Sequence, residues 1–441
     1  MIDRSFVIYG DSRTRSSSSQ EGIISNNGYA GWAEAYSGNE VFFARNGNYA
    51  IKGAINSGWR ELFAAYVASP SRNAVLYIGW NRSAYSDSTL STEDTRLQIG
   101  SMLDQLGAAG KTVFLVSETP QSLSPGNPRQ IEMHEWLASP TGALLGRPFV
   151  VPVNAWDALE DPANPNFPRP EYVYDGLHLT VKGNQVLGEA IAKAMDAHFA
   201  DTDLINLAQT NGDGFTAANL DGVLIANPLL EGTGGMRSGA VTGDVATGWT
   251  VATNAGASGV NVVASKGISN AGFAEQIISF SGTPTGAGAT IRLTLQVPLA
   301  NVQIGDALRA GAVIEFDPGG TGVLGISPSL TSQTTSGAVL RTRGLAASIY
   351  DLPSDGFNLA IGTSFLDVKE TQRFVTYDIV ISLRTNALTQ GTVRISQATI
   401  RDSSEAVDAP PPPPPVDTNV PPDAENDRTV TLLEDAAPVA L

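Results

Sequence analysis

The stretch Phe6-Val-Ile-Tyr-Gly-Asp-Ser-Arg-Thr14 decides how the first half of the chain is organised. Four apolar residues of strand character run directly into Gly10-Asp11-Ser12, which predicts a buried strand that ends in a tight turn. Ligand sites of open α/β sheets lie at the carboxyl edge of the strands. A serine hydroxyl is a poor nucleophile until a nearby base takes its proton. Ser12 is therefore a candidate nucleophile if the rest of the sequence supplies that base.

The composition excludes several classes of function. The chain has 441 residues, with 27 Lys and Arg against 44 Asp and Glu and a formal net charge of −17. Binding to nucleic acid or to anionic membranes needs a basic surface, so neither is expected. There is no Cys and there are only three His, which excludes disulfides and Cys-ligated zinc and argues against a multi-His metal site. No apolar run approaches the ~20 residues of a membrane helix.

The N-terminus enters a predicted strand directly, without the basic region, apolar stretch and cleavage site of a signal peptide. An acidic chain without Cys suits an exported bacterial protein as readily as a cytosolic one. We therefore expect an extracellular or cell-surface location reached by a route without an N-terminal signal peptide. A cytoplasmic location is left open.

Strand-like and helix-like segments alternate over residues 1–200, which predicts a three-layer α/β/α domain with a parallel sheet. The predicted strands cover residues 6–9, 41–44, 74–78, 112–116 and 149–153. The predicted helices cover residues 55–67, 93–109, 130–137 and 180–198.

The second half has a different character. Gly, Thr, Ser and Val dominate from about residue 220 to 402, and apolar alternation replaces helical spacing. This pattern predicts an all-β, jelly-roll-like sandwich, with strands at residues 290–297, 312–316, 374–381 and 392–396. The predicted domain organisation is an α/β domain at 1–200, a linker at 201–220, a sandwich at 221–405, a Pro-rich linker at 406–426, and the start of a truncated β repeat or a disordered tail at 427–441.

Four short blocks place chemistry on one predicted edge of the parallel sheet. They are Ser12, Gly47 in Ala44-Arg-Asn-Gly-Asn-Tyr49, Asn81 in Tyr77-Ile-Gly-Trp-Asn81, and the pair in Asp175-Gly-Leu-His-Leu-Thr180. His178 would take the proton of Ser12, and Asp175 would orient the imidazole. The backbone N–H groups of Ser12 and Gly47 and the amide of Asn81 would bind the oxyanion, each worth about 3 kcal/mol in the transition state.

These blocks, in this order, resemble those of the SGNH (GDSL-type) esterases and lipases. The resemblance covers residues 1–200 and implies a hydrolase that cleaves carboxylic esters through an acyl-enzyme, without a metal or cofactor. The family's name residues map onto Ser12, Gly47, Asn81 and His178. The sequence departs from the family pattern in three places: Arg13 follows the serine where Leu is usual, Phe42 replaces an Asn, and Arg82 replaces an Asp.

The expected function is a serine esterase, in particular an O-acetylesterase with a carbohydrate ester as substrate. One alternative is a lipase, lysophospholipase or arylesterase. Another is a surface or phage-tail adhesin that uses the same fold without turnover. The second half resembles carbohydrate-binding-like β-sandwich modules, with a spacer or an oligomerisation domain as the open alternative, and residues 426–435 resemble the start of a cadherin-like repeat.

Three residues beside the predicted site are candidates for substrate binding: Arg13, Arg82 and Trp80. Arginine presents a planar fork to carboxylates, so these arginines could select an anionic substrate such as a uronate-containing polymer. The competing interpretation is that they pair with nearby acids. Residues 1–200 carry the whole predicted triad, so we expect them to fold alone, with the sandwich as a tethered module.

Overall fold

The structure, a computed structural model, describes residues 5–15, 17, 23–37, 42–50, 59–78, 91–123, 125–199, 207–216, 219 and 222–402. Its first half contains, in chain order, β1 (Ser5–Gly10), α1 (Ser12–Arg15), β2 (Ile23–Ser25), α2 (Tyr29–Tyr36), β3 (Phe42–Ala50), α3 (Trp59–Val67), β4 (Asn73–Tyr77), α4 (Thr92–Ala108), β5 (Thr112–Val116), α5 (Pro128–Ala138), β6 (Val150–Val153), α6 (Ala155–Leu159), β7 (Glu160–Asp161), β8 (Asn164–Pro168) and α7 (Val181–His198).

A five-stranded parallel sheet forms the centre of this half, in the order β3-β1-β4-β5-β6. The five strands of this sheet and four helices of the first half overlap the predicted segments. The strands could be predicted because continuous apolar runs are typical of strands covered on both faces. Phe6 and Ile8 pack on one face with Leu187 of α7. Val7 packs on the other with Leu103 of α4. The predicted three-layer α/β/α arrangement is confirmed.

Strands dominate the second half. They are β9 (Gly234–Ser238), β10 (Val241–Gly243), β11 (Val245–Thr253), β12 (Val260–Ile268), β13 (Ala274–Gly282), β14 (Thr290–Gln296), β15 (Ala307–Phe316), β16 (Val323–Thr334), β17 (Val339–Ala346), β18 (Phe357–Gly362), β19 (Leu366–Asp367), β20 (Gln372–Leu383) and β21 (Thr389–Asp402). One sheet has the order β10-β12-β13-β21-β15-β18, with β19 beside β15. The other has the order β2-β17-β16-β20-β14-β11-β9.

The two sheets bury a common core, as the alternating pattern predicted. In β14, Ile291 and Leu293 are buried, while the intervening Arg292 is partly exposed. Trp249 and Tyr377 fill the interior with their rings in edge-to-face contact at 5.8 Å. The predicted strands at residues 312–316, 374–381 and 392–396 lie within described strands, and the one at 290–297 runs one residue beyond β14.

The two halves also share a sheet, which the sequence did not predict. Strand β2 of the first half pairs in parallel with β17 of the second, with Ile23 opposite Arg343. The backbone N–H of Asn26 donates to Ala346 O at 2.9 Å, and its side-chain amide donates to Leu324 O at 2.7 Å. The edge of one sandwich sheet is therefore supplied by the first half.

The halves share a hydrophobic core as well. Trp32 of α2 is fully buried and belongs to the same core cluster as the sandwich interior. Its indole contacts the ring of Phe357 edge-on at 5.6 Å. Residues 1–410 accordingly form one compact unit. The predicted boundaries at 200 and 221 stay predictions, and α2 and β2 are covered by the sandwich.

The predicted proline-rich linker and the tail at residues 427–441 lie outside the described residues, so the cadherin-like resemblance stays a prediction. Among the helices that the structure describes, none combines the length and apolar character needed to cross a membrane.

Candidate active site

Ser12 is the first residue of α1 and follows β1 after a single residue, Asp11. The chain turns sharply here because Gly10 has no side chain: a Cβ at that position would lie 2.0 Å from Thr14 Oγ1 and 2.5 Å from Tyr77 O. This close approach requires glycine. The Ser12 N–H opens the helix and has no acceptor within it, so it can point toward a developing oxyanion.

Asp175 and His178 complete a hydrogen-bonded chain with the serine. His178 Nε2 lies 3.0 Å from Ser12 Oγ, and Nδ1 lies 2.6 Å from Asp175 Oδ2. Because Nδ1–H must donate to the carboxylate, Nε2 is left as the acceptor for the serine hydroxyl. The structure thus brings together the three residues that the sequence predicted as a triad, from two segments 166 positions apart.

The turn that carries Asp175 and His178 is fixed by its own backbone. An isolated antiparallel bridge joins Val173 to Leu179 at the base of the turn. Gly176 adopts φ +86°, a conformation that favours glycine. Its carbonyl accepts a hydrogen bond of 2.8 Å from Ser122 N, so the loop after β5 braces the turn.

Helix α7 begins directly after this turn. The Thr180 side chain caps its N-terminus by accepting from Gly183 N at 3.1 Å. The cap fixes where the helix starts, and the same segment therefore sets the position of His178.

Hydrogen bonds hold Asp175 in its ionised form. Partial burial acts to raise the pKa of this carboxyl, but the bonds from the backbone N–H groups of His178 and Leu177 and from the imidazole outweigh it, and the pKa is lowered. Asp175 therefore stays a carboxylate that can stabilise an imidazolium during proton transfer.

A buried ion network lies behind the nucleophile. The guanidinium of Arg13 binds Asp11 Oδ2 at 2.8 Å and Glu118 Oε2 at 2.8 Å, and it lies 4.2 Å from the centroid of the Tyr77 ring. The side chain of Arg13 has no exposed surface. Arg13 was predicted to bind substrate, but its guanidinium is enclosed and pairs with two carboxylates, as in the competing interpretation in which the arginines pair with nearby acids.

The electrostatics of this network depend on Arg13. Burial raises the pKa of Glu118, and the positive charge of Arg13 opposes that rise. Burial alone would lower the pKa of Arg13, but Asp11 and Glu118 reverse the effect and hold it well above its ordinary value. The arginine is thus a permanent positive charge that compensates two buried acids.

Of the other two predicted oxyanion donors, Gly47 and Asn81, only Gly47 lies among the described residues. Gly47 lies inside β3, where the register with β1 shifts between the Phe6 and Ile8 positions. Ala50 is the residue that pairs with Gly10, so Gly47 lies three residues, or about 10 Å, before the sheet edge. The strand is longer than predicted, and the role of Gly47 in the oxyanion hole stays a prediction. Asn81, Trp80 and Arg82 lie outside the described residues.

Sequence reasoning missed two features of the site. Glu118 follows the predicted strand 112–116 at the same sheet edge as Ser12, a signal that could have identified it as the partner of Arg13. Tyr174 stacks on His178 with ring centroids 5.9 Å apart and is 56% exposed. A lone tyrosine in a predicted turn carries no comparable signal.

The residues that the structure describes contain no group of three or more His, Asp or Glu side chains that could hold a metal ion.

No protein-family model and no curated protein matches the chain. Similar solved structures include an acetylxylan esterase from Geobacillus stearothermophilus, with 16% identity and a TM-score of 0.33, which covers 44% of this chain and 94% of that one. They also include a GDSL-like lipase from Bacteroides thetaiotaomicron, with 16% identity and a TM-score of 0.32, covering 44% of this chain and 89% of that one.

A third similar structure is that of a carbohydrate-binding module from the β-sandwich superfamily. It has 14% identity and a TM-score of 0.27, and the match covers 35% of this chain. The chain spans 57% of that module's length.

Proposed function

We propose that this protein is a serine esterase that hydrolyses carboxylic esters through an acyl-enzyme. The observation that carries the proposal is the continuous hydrogen-bonded chain from Ser12 Oγ through the imidazole of His178 to the carboxylate of Asp175, at 3.0 and 2.6 Å. These distances lie within the range needed for a base to take the proton of a nucleophile.

In the first step, Ser12 Oγ attacks the ester carbonyl carbon while its proton moves to Nε2 of His178. The Ser12 N–H donates to the oxyanion, and Asp175 stabilises the imidazolium. Collapse of the tetrahedral intermediate breaks the ester C–O bond, and the leaving alkoxide takes the proton from Nε2. Water then attacks the acyl-enzyme, giving its proton to His178, and the acid leaves as Ser12 recovers its hydrogen.

We further propose that the substrate is an O-acetylated carbohydrate. The side chains of Asp175 and His178 are 43% and 29% exposed, so the triad lies at an open surface. An open site can accept an ester carried on a large polymer, and an acetyl group needs no deep acyl pocket.

A turnover assay with p-nitrophenyl esters of increasing chain length, alongside acetylated xylan and acetylated pectin, tests both proposals. Preference for acetate, with acetate released from a polymer, supports the carbohydrate esterase. Preference for long chains supports a lipase instead. Absence of turnover on every ester would overturn the enzyme proposal and favour an adhesin.

A further inference from the structure

A loop of the second half contacts the segment of the first half around the turn at residues 173–179, here called the catalytic turn because it carries Asp175 and His178. This bridging loop, residues 347–356, connects β17 to β18. Near its end, the carboxylate of Asp355 forms an ion pair with Nζ of Lys182. Lys182 lies in the first turn of α7, four positions after His178. The bridging loop is therefore held next to the segment that carries the catalytic base.

The bridging loop is also fixed from the sandwich side. Leu352 is buried, and its N–H donates to Val323 O at 2.7 Å. Arg384 donates from Nε to Asp351 Oδ1 at 2.9 Å and from Nη2 to Ile349 O at 3.1 Å. Because these contacts and the Asp355–Lys182 ion pair fix the bridging loop, its conformation is already set before a substrate binds.

Exposed aromatic and aliphatic side chains lie beside the catalytic turn and on the bridging loop. Tyr350 stacks on Tyr174 with centroids 6.0 Å apart and planes inclined by 25°, and Tyr174 stacks in turn on His178 at 5.9 Å and 21°. Ile349 is 74% exposed and Leu123, beside the catalytic turn, is 62% exposed. A cluster of exposed aromatic and aliphatic side chains at a reactive centre is typical of a ligand-binding face.

We propose that Tyr350 and Tyr174 form an aromatic platform that binds the sugar carrying the ester. The inference rests on the proposed function, since it assigns the alcohol part of that substrate. A pyranose ring has one face of C–H groups, which suits an aromatic ring, while its hydroxyls can bond with the phenol groups. The second half of the chain thus supplies part of the substrate site, and Tyr350 determines specificity without taking part in the chemical step.

Replacement of Tyr350 tests the platform. The measured quantity is the ratio of kcat/KM on acetylated xylo-oligosaccharide to kcat/KM on p-nitrophenyl acetate. Tyr350→Ala should lower this ratio about three- to tenfold, through KM for the oligosaccharide, while Tyr350→Phe retains most of it. Ile268→Ala is the control, because Ile268 is 69% exposed on the sandwich at the end of β12.

A binding measurement separates this inference from the proposed function. In a Ser12→Ala background, calorimetry with acetylated xylo-oligosaccharide should show about three- to tenfold weaker binding after Tyr350→Ala. Absence of esterase turnover in the wild-type protein would overturn the proposed function and leave this measurement valid. An unchanged ratio and an unchanged Kd for Tyr350→Ala, or an equal loss for Ile268→Ala, would overturn the platform. If Tyr350→Ala fails to fold, Asp355→Asn, which frees the bridging loop from Lys182, must lower the ratio for the inference to stand.

Discussion

Arg13 and Glu118 form an ion pair of 2.8 Å, and neither side chain has any exposed surface. The arginine follows the nucleophile directly, and the glutamate lies 105 positions later, in the loop after β5. The pair therefore ties the nucleophile turn after β1 to the end of β5, two strands away in the sheet.

Replacing Arg13 with Met should destabilise the protein by about 3 to 5 kcal/mol, because two buried carboxylates would lose their counter-charge. Urea unfolding measures the loss. Arg147→Met is the matched control, since Arg147 forms an ion pair with Asp104 at the surface and its loss should cost at most about 1 kcal/mol. Equal losses in the two variants would contradict a structural role for the buried network.

The same variant should change how stability depends on pH. Burial raises the pKa of Glu118, and Arg13 limits that rise. Without Arg13 the folded protein retains a proton that the unfolded chain releases above pH ~4.3. The contribution of Glu118 to the free energy of unfolding is then largest at low pH. It declines as pH rises above ~4.3, by up to about 1.4 kcal/mol per pH unit for this one carboxyl. A variant equally destabilised at pH 5 and pH 8 would contradict this sign.

Ser12→Ala should lower turnover of p-nitrophenyl acetate by about 10⁴-fold or more without unfolding the protein. The reason is that no other hydroxyl among the described residues is hydrogen-bonded to the imidazole of His178. A serine-directed phosphonate should label Ser12 alone. Ser101→Ala, on an exposed position of α4, serves as the control. Near wild-type turnover in Ser12→Ala would show that another residue is the nucleophile.

Asp175→Asn should lower kcat by about 10⁴-fold, since the amide NH2 would face Nδ1 and favour the wrong tautomer of His178. The turn should persist, because the amide oxygen can still accept from the N–H groups of Leu177 and His178. Asp367→Asn is a control with the same side-chain exposure, 43%. Full activity in Asp175→Asn would remove the carboxylate from the mechanism.

The pKa of Asp175 is lowered in the folded protein, which fixes the sign of its effect on stability. Its ionised form stabilises the fold above the unfolded pKa of about 3.9, and the benefit disappears as pH falls through the folded pKa. The stability difference between wild type and Asp175→Asn should therefore shrink below about pH 4.

Substitution of two glycines that have positive φ distinguishes the effect of backbone strain from the effect of a displaced active site. Gly176→Ala and Gly146→Ala should each cost about 1 to 2 kcal/mol, because φ is +86° and +71°. A Cβ at Gly176 would also lie 2.8 Å from Ser122 Oγ, whereas nothing lies within 4 Å at Gly146. Only Gly176→Ala should reduce kcat, by about tenfold or more, as the catalytic turn moves. Equal kcat in both variants would show that the turn tolerates displacement.

A protein that ends at Ala200 should be insoluble or inactive on p-nitrophenyl acetate. Its β2 would lose its partner strand, and Trp32 would be exposed to water. This reverses the expectation from sequence that residues 1–200 fold alone. The control ends at Pro410 and keeps the whole first compact unit, so it should retain both its melting temperature and its activity. A soluble, active protein ending at Ala200 would show that the shared core is dispensable.

The parallel sheet and the triad were predictable because their signals are local. Each strand is a short apolar run, and Asp175 lies three residues before His178 on one turn. The serine was identified by its position at a strand end, which places it at the sheet edge whatever the details of packing.

The features that the sequence did not predict depend on distant partners. Strand β2 has only three residues, and its pairing with β17 leaves no periodic signal. Trp32 lies in a core that the sandwich completes, and the residues around it in the sequence do not indicate that distant partner. Arg13 looked like a substrate ligand because Glu118, its buried partner, follows another strand.

The shared sheet also has a consequence for how the protein is made. The hydrogen bond from Asn26 to Leu324 joins residues separated by 298 positions. At about 5 to 20 residues per second, a ribosome needs roughly 15 to 60 s to synthesise that interval. Throughout this time Trp32 and the unpaired edge of β2 have nothing to cover them. The first half therefore completes its sheet edge and core only once β17 has left the ribosome.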